Sequence, residues 1–313
     1  MKIHHSLESI QGIRNPVVTT GTFDGVHKGH QVIISRLNKL AEDVDGESVL
    51  ITFHPHPRRV LYPDGKGKDL LLICSQDEKK MLLNETGLDH LIILEFTLEF
   101  SMISSQQFIE NILVKRLNAK VVVVGFNHHF GHNREGDFSY LYRLGRTHGF
   151  EVEEIPEQDI QNESVSSTKI RKALLEGNIQ RANAYLDHYY VARGKSIIHE
   201  ESTAFFNHYV YDLEITEDVK LFPPDGVYAV SIEGTGKLQK GLLSVNNWKI
   251  VNNLMNPAVE VEFCYLESHE EKQPDIVTIY FHKKIRGGSI NGDPEYKRNL
   301  FRKNLNEIKE LIY

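Results

Sequence analysis

The stretch GTFDGVHKGH, residues 21 to 30, places Gly21, Gly25 and Gly29 among two histidines, His27 and His30, where a β-branched run gives way to a helical one. Glycines at Gly21 and Gly25 permit a tight turn with backbone close to a ligand, and the helix that follows points unpaired N–H groups and its positive dipole end at the same spot. A phosphate chain suits that spot. His27 and His30 fall in the first helical turn, three apart and so on neighbouring faces, where imidazole N–H groups can hydrogen-bond phosphate oxygens. Gly29 between them leaves a surface flat enough for a nucleotide. Two other readings compete, a purely structural turn and a metal site. The metal reading is the weaker, because helical zinc pairs favour i,i+4 spacing with a glutamate between them, and none is present.

A second stretch, SVSSTKIR at 164–171, sets Ser166, Ser167 and Thr168 at a helix start with Lys169 and Arg171 just inside. Hydroxyls, backbone N–H groups and cations make another anion site. An ordinary N-cap has the same appearance. Two phosphate-suited helix starts together suggest a nucleotide held at both ends.

The elements that must position these residues follow from pattern. From the start to about residue 186, short apolar runs (VVTTGTF, SVLITF, LIILEF, KVVVVGF, FEVEEI) alternate with helical stretches, among them HQVIISRLNKLAEDV and a helix from about Ser104 to Leu117. Another helix is opened by Ser75 with Glu78 three residues on, the spacing of a capping box. The βαβα order predicts a doubly covered parallel sheet, with ligands bound beyond the carboxyl ends of its strands. GTFDGVHKGH and GFNHHFGHNREGD both lie at such ends. Near residue 187 the character changes: GVYAVSIEG, LQKGLLSV, AVEVEFCYL and DIVTIYFHKKI alternate as strands, and a helix is expected over PEYKRNLFRKNLNEIKELI. The expected fold is thus α/β, a Rossmann-like domain over 1–186 followed by a small antiparallel β-barrel with a C-terminal helix over 187–313.

A chain of 313 residues agrees with about two domains. A net charge of -7 argues against a general nucleic-acid binder, while leaving room for a local basic pocket. The N-terminus has no signal-peptide pattern and no apolar run is long enough to span a bilayer, so a cytoplasmic protein without a membrane partner is expected. Cys74 and Cys264 form no CxxC pair, which suggests neither a disulfide framework nor a zinc site. Oligomeric state is not readable.

GTFDGVHKGH resembles the GxFDGxHxGH motif of the HxGH nucleotidyltransferases, and SSTKIR their SSTxIR motif. ITFHPHPRRVLYP and VVVGFNHHFGHNREGD resemble two loops of the bacterial bifunctional riboflavin kinase/FAD synthetases, and the four motifs run in family order through residues 16 to 186. The resemblance implies FMN + ATP giving FAD + pyrophosphate, with Mg2+. It implies that His27 and His30 contact the ATP phosphates, that Ser166, Ser167, Thr168 and Arg171 hold the pyrophosphate end, and that Gly21, Phe23, Asp24, Gly25 and Gly29 shape the nucleotide site. Asn127 matches a position near the reacting phosphates, and Pro55, His56 and Pro57 the flavin-side loop. The family has an acid before Asn127 and an aromatic after it, whereas this chain has Phe126 and His128. His54, His56, His128, His129 and His132 are read as loop donors or solvated side chains, and no protein-bound metal is expected.

The C-terminal part resembles the riboflavin kinase barrel through LFPPDGVYAV and AVEVEF, which puts Glu260 on the kinase base position; a solvent-facing strand residue would look the same. The family's GxxxGFPTAN stretch is missing. Family spacing puts PTAN on Val210, Tyr211, Asp212 and Leu213, the nearest remnant is STAFFN at 202–207, and no glycine occurs between Gly194 and Gly226. Aromatics cannot let backbone approach phosphates as glycine does. The expectation is an FMN adenylyltransferase with a vestigial kinase domain. A working bifunctional enzyme and a non-catalytic flavin or nucleotide sensor, the latter favoured by Phe126 and His128, are the rivals.

Overall fold

The computed structural model describes the chain outside residues 66, 127–128, 157–158, 161–162, 199–207, 215–218, 235–237, 252–253, 266–274 and 289–313. The helix expected near the C-terminus lies outside the described residues. By packing, the chain divides into two compact units, 1–70 with 80–165, and 71–79 with 166–313.

The first unit opens with β1 (Lys2–His4), β2 (Val17–Thr20), α1 (Lys28–Asp43), β3 (Ser48–His54) and α2 (Pro57–Leu61). After α3 (Gln76–Asn84), which begins in the other unit, come β4 (His90–Glu95), α4 (Leu98–Ser101) and α5 (Ser105–Phe108). Then follow β5 (Val121–Gly125), α6 (Phe138–His148), β6 (Glu151–Ile155) and a ribbon of β7 (Asp159–Ile160) with β8 (Glu163–Ser164). The sheet order is β1-β4-β3-β2-β5-β6, and every pairing is parallel. The alternation in the sequence predicts this sheet; β1 and the ribbon are additions it does not signal.

β2 is central and has no exposed residue, because helices cover both faces of a parallel sheet. α1 buries Ile34, Leu37 and Ala41, a stripe at helical spacing. Val18, Ile51, Ile92, Val122, Ile109 and Leu113 belong to one apolar core. The helix expected from Ser104 to Leu117 starts with a capping box between Ser104 and Gln107, then widens into π-helical turns over Ile109–Arg116. From β2 the chain passes to β3 and β4 on one side and returns to β5 on the other. The carboxyl ends of β2 and β5 therefore flank the topological switch point, where open α/β sheets bind ligands.

The second unit holds α7 (Ser167–Leu175), α8 (Ile179–Leu186), β9 (Tyr190–Ile198), β10 (His208–Glu214), β11 (Gly226–Glu233), β12 (Leu238–Val251), β13 (Leu254–Tyr265) and β14 (Ile276–Gly287). The six strands are antiparallel in the order β10-β13-β12-β11-β14-β9, and β9 pairs again with β10. The four strands expected from alternation are present; β9 and β10 are further ones. α8 groups with this sheet for a visible reason, and α7 packs on α8. Asn183 on α8 donates Nδ2–H to the Phe281 carbonyl at 2.8 Å and accepts from the Tyr190 N–H at 2.8 Å. Among the described residues no helix is long and apolar enough to cross a membrane.

Candidate functional site

In the first unit the loop after β2 is tied down at each step. Gly21 N–H donates to the Ile51 carbonyl at 3.0 Å, which continues the β2–β3 ladder, and Thr52 Oγ1 donates to the Thr22 carbonyl at 3.2 Å. Phe23, Gly25 and Val26 then take left-handed backbone conformations, with φ of 48°, 88° and 42°. For a β-branched valine that is an outlier held by its surroundings, and Val26 is 1% exposed with its carbonyl accepting from Gln31 Nε2 at 3.0 Å. Phe23 and Asp24 are buried beside it.

The turn delivers His27 as the N-cap of α1, with extended backbone and no side-chain capping bond. Its ring stacks on His30 with centroids 3.6 Å apart, and His30 stacks in turn on Phe23 at 4.4 Å. Gly21 and Gly29 of the motif answer to this stack, and Gly25 to the backbone turn. A Cβ on Gly21 would meet Phe23 Cε2 at 3.0 Å, and one on Gly29 would meet His27 Cε1 at 3.3 Å, while Gly25 supplies positive φ. No acidic residue occupies the first turn of α1, so nothing there offsets the dipole that favours an anion.

The loop after β5 closes on α5. Ser105 donates its N–H and its Oγ–H to Glu135 Oε1, at 2.9 and 3.2 Å, and His132 donates Nδ1–H to the Ser101 carbonyl at 3.1 Å. Gly131, with φ of 77°, has no room for a Cβ, which would come within 2.5 Å of the Ser105 nitrogen. His132 thus has a structural bond. Asn127 and His128 lie outside the described residues, and Phe126 is half exposed at the end of the strand. On the flavin-side loop His56 caps α2 by accepting from the Arg58 N–H through Nδ1, between Pro55 and Pro57. Phe53 of β3, Phe96 after β4 and Phe100 of α4 form a ring cluster with centroids 5.6 to 5.7 Å apart. Among the described residues no three His, Cys, Asp or Glu side chains come together as a metal site.

In the second unit Ser166 is the N-cap of α7, its Oγ accepting from the Lys169 N–H at 3.4 Å. Ser167 and Thr168 follow in the first turn, and Thr168 is exposed. Arg171 donates Nε–H to the Leu71 carbonyl at 2.8 Å. Glu260 lies on β13, in register with Asp212 of β10 and Asn246 of β12.

One cluster had no precedent in the sequence pattern. Ser75 and Glu78 form the expected capping box, with Ser75 N–H to Glu78 Oε2 at 2.8 Å and Glu78 N–H to Ser75 Oγ at 3.3 Å. The same Oε2 is 2.6 Å from Lys220 Nζ, both side chains fully buried. Burial works against the Lys220 charge, and the Glu78 carboxylate together with the Tyr190 side chain outweighs it, so the ammonium is held above its ordinary pKa. Only the capping box was legible, because the partner is 142 residues away along the chain.

A helix start shaped for phosphate at the switch point of a parallel sheet is the arrangement of nucleotide-binding α/β proteins. The FAD synthetase family matches residues 10–169. The bifunctional riboflavin kinase/FMN adenylyltransferase of Listeria monocytogenes is 30% identical over 300 residues, 95% of this chain and 90% of that one. The protein of the same name from Buchnera aphidicola is 33% identical over 289 residues, covering 90% and 88%. The chain belongs to the FAD synthetase family. A crystal structure from Streptococcus pneumoniae, described as a macrolide-efflux protein, superposes with a TM-score of 0.81 at 24% identity, over 99% of this chain and 98% of that one. That likeness is one of fold alone.

Proposed function

We propose that this protein is an FMN adenylyltransferase, transferring AMP from ATP to FMN to give FAD and pyrophosphate, and that its second domain no longer phosphorylates riboflavin. The stacked His27 and His30 at the start of α1 carry the reading. FMN's phosphate is already ionised at neutral pH, so its oxygen can attack the ATP α-phosphorus without a general base while the bond to the β-phosphate oxygen breaks. Catalysis then reduces to alignment and to neutralising the leaving pyrophosphate. Imidazoles, hydroxyls and a guanidinium suit that work.

His27, His30, Asn127 and Arg171 are assigned to the reacting phosphates. Gly21, Phe23, Asp24, Gly25, Gly29, Ser166, Ser167 and Thr168 are assigned to ATP, and Pro55, His56 and Pro57 to the flavin. The donors are anion-binding groups rather than a carboxylate cage, which fits Mg2+ carried on the ATP phosphates. When bound, it would supply charge neutralisation on the leaving group.

As functional domains, residues 1–186 are assigned to the transferase and 187–313 to a kinase-like barrel, whose ring of strand pairings supports that name. The loss of kinase activity draws support from β10. The positions that family spacing gives to PTAN, Val210 to Leu213, are laddered strand, with Tyr211 to Leu213 paired on both sides, to β13 and β9. Backbone paired on both sides cannot cradle phosphate. The relatives' bifunctional names favour a second reading, an active kinase with Glu260 as base.

The test is to incubate flavin-free protein with Mg2+ and ATP, once with FMN and once with riboflavin, and to separate the flavins. FAD from FMN, abolished by His30→Ala with the fold intact, and no product from riboflavin, is the expected result. FMN from riboflavin would establish the second reading. No product in either tube would defeat both.

A further inference from the structure

Every residue considered next lies in the second unit. The Lys220 ammonium donates three bonds in a fully buried pocket, to the carbonyls of Ile73 at 2.6 Å and Val191 at 2.7 Å and to Glu78 Oε2 at 2.6 Å. It sits 4.3 Å from the centroid of the Tyr190 ring. Glu78 accepts in addition from the Arg193 N–H at 2.8 Å through Oε1. The backbone of the same segment is bridged on either side of Lys220: Leu72 N–H donates to the Val219 carbonyl and Leu221 N–H to the Leu72 carbonyl, both at 2.7 Å. Residues 71–78 are therefore clamped between β9 and the strand-like residues 219–221.

The outer end of that clamp is the Leu71 carbonyl, which accepts from Arg171 Nε. A guanidinium is a planar fork, so a bond at Nε fixes the plane and the direction in which its two terminal nitrogens point. Moving the Leu71 carbonyl therefore turns the fork.

We infer that Lys220, with Glu78, is a positioning residue for adenylyl transfer: the buried pair holds the 71–73 segment so that Leu71 orients the Arg171 guanidinium toward the pyrophosphate end of ATP. The inference rests on the role assigned to Arg171 above. A buried ion pair adds little stability over apolar side chains of similar shape, so its part here is read from the groups it binds. Here the bonded groups are the carbonyls of Ile73 and Val191 and the N–H groups of Ser75 and Arg193.

The experiment compares the full-length protein with Lys220→Met and with Glu78→Gln/Lys220→Met, each also in an Arg171→Ala background. The second variant leaves no unpaired buried charge and serves where the first fails to fold. KM for ATP and FMN is measured forward, and KM for pyrophosphate in the reverse reaction with FAD. Both KM values for the phosphate side should rise about tenfold, with KM for FMN unchanged, and the same substitutions should add less than twofold once Arg171 is alanine. Unaltered KM values in a folded variant, or an equal tenfold loss in the Arg171→Ala background, would overturn the inference while leaving the adenylyltransferase reading intact. An unaltered protein that makes no FAD would sink both. Independent of any variant, the Arg171 Nε–H should exchange slowly with solvent by NMR in the unaltered protein; exchange at the rate of a solvated arginine would also overturn the inference.

Discussion

His27 and His30 stack ring on ring, 3.6 Å between centroids and 17° between planes, at the first turn of α1. The extended backbone of His27, ψ 171°, lays its ring alongside the residue three positions on. Two imidazole rings thus lie together at one helix start, and Phe23 stacks on the outer face of the pair through His30.

The stack depends on Gly29. Alanine there would press on His27 Cε1 at 3.3 Å and Nδ1 at 3.4 Å, yet alanine is the better helix former by up to about 1 kcal/mol. Gly29→Ala should leave the melting temperature within about 2 °C or raise it, while kcat for FAD formation drops about tenfold or more. Equal activity in the two proteins would show that the ring positions do not matter.

Gly25 and Gly149 form a matched pair, with φ of 88° and 83°. A side chain at either costs about 1–2 kcal/mol of backbone strain, so Gly25→Ala and Gly149→Ala should melt at similarly lowered temperatures. Only Gly25→Ala should weaken ATP binding, read by titration calorimetry, because Gly149 merely ends α6. Parallel losses of affinity would argue that the turn after β2 is structural.

Ser166 separates an N-cap from an anion site. Aspartate caps as well as serine, so Ser166→Asp should preserve the melting temperature, while Ser166→Ala loses about 1 kcal/mol. The added carboxylate should raise KM for ATP about tenfold or more through repulsion of the phosphates. An unchanged KM would reduce Ser166 to a cap.

His282 predicts a pH dependence of stability. Burial, with the Lys240 ammonium adding to it, pushes its pKa down to about 4 from the ordinary 6.5. Its Nε2 lies 2.7 Å from Ser231 Oγ, and Tyr189 packs edge-on at 4.2 Å. Between pH 6.5 and 4 the unfolded chain binds the proton more readily, so stability falls as pH is lowered through that window and levels off below it. With allowance for partial exposure the loss is about 1–2 kcal/mol. Denaturant melts at pH 7 and pH 4.5 should show that much less acid sensitivity in His282→Gln; coincident pH slopes would contradict it.

Much of the fold was legible because parallel-sheet strands read as apolar runs and their crossovers as amphipathic helices. VVTT, SVLITF and KVVVVGF became β2, β3 and β5. The histidine and glycine motif was legible too, since the residues that build the helix start are consecutive. Less visible were β9 and β10, whose Tyr190–Ile198 and His208–Glu214 carry charged and aromatic residues in weak alternation. Lys220 could not be found from its neighbours, since no local pattern tells a lysine that its counter-ion is Glu78.

The sequence by itself determined which segments form strands and helices, where the anion-suited helix starts fall, and which glycines must stay small, because those properties depend on near neighbours and backbone geometry. Only the tertiary structure decided that β2 lies between β3 and β5, which makes its carboxyl end a switch point. It alone stacked His27 on His30, joined Arg171 to Leu71 and buried Lys220 against Glu78. Strand order and buried pairing are set by which apolar faces and polar groups can be satisfied together across the chain, and that is a property of the folded whole.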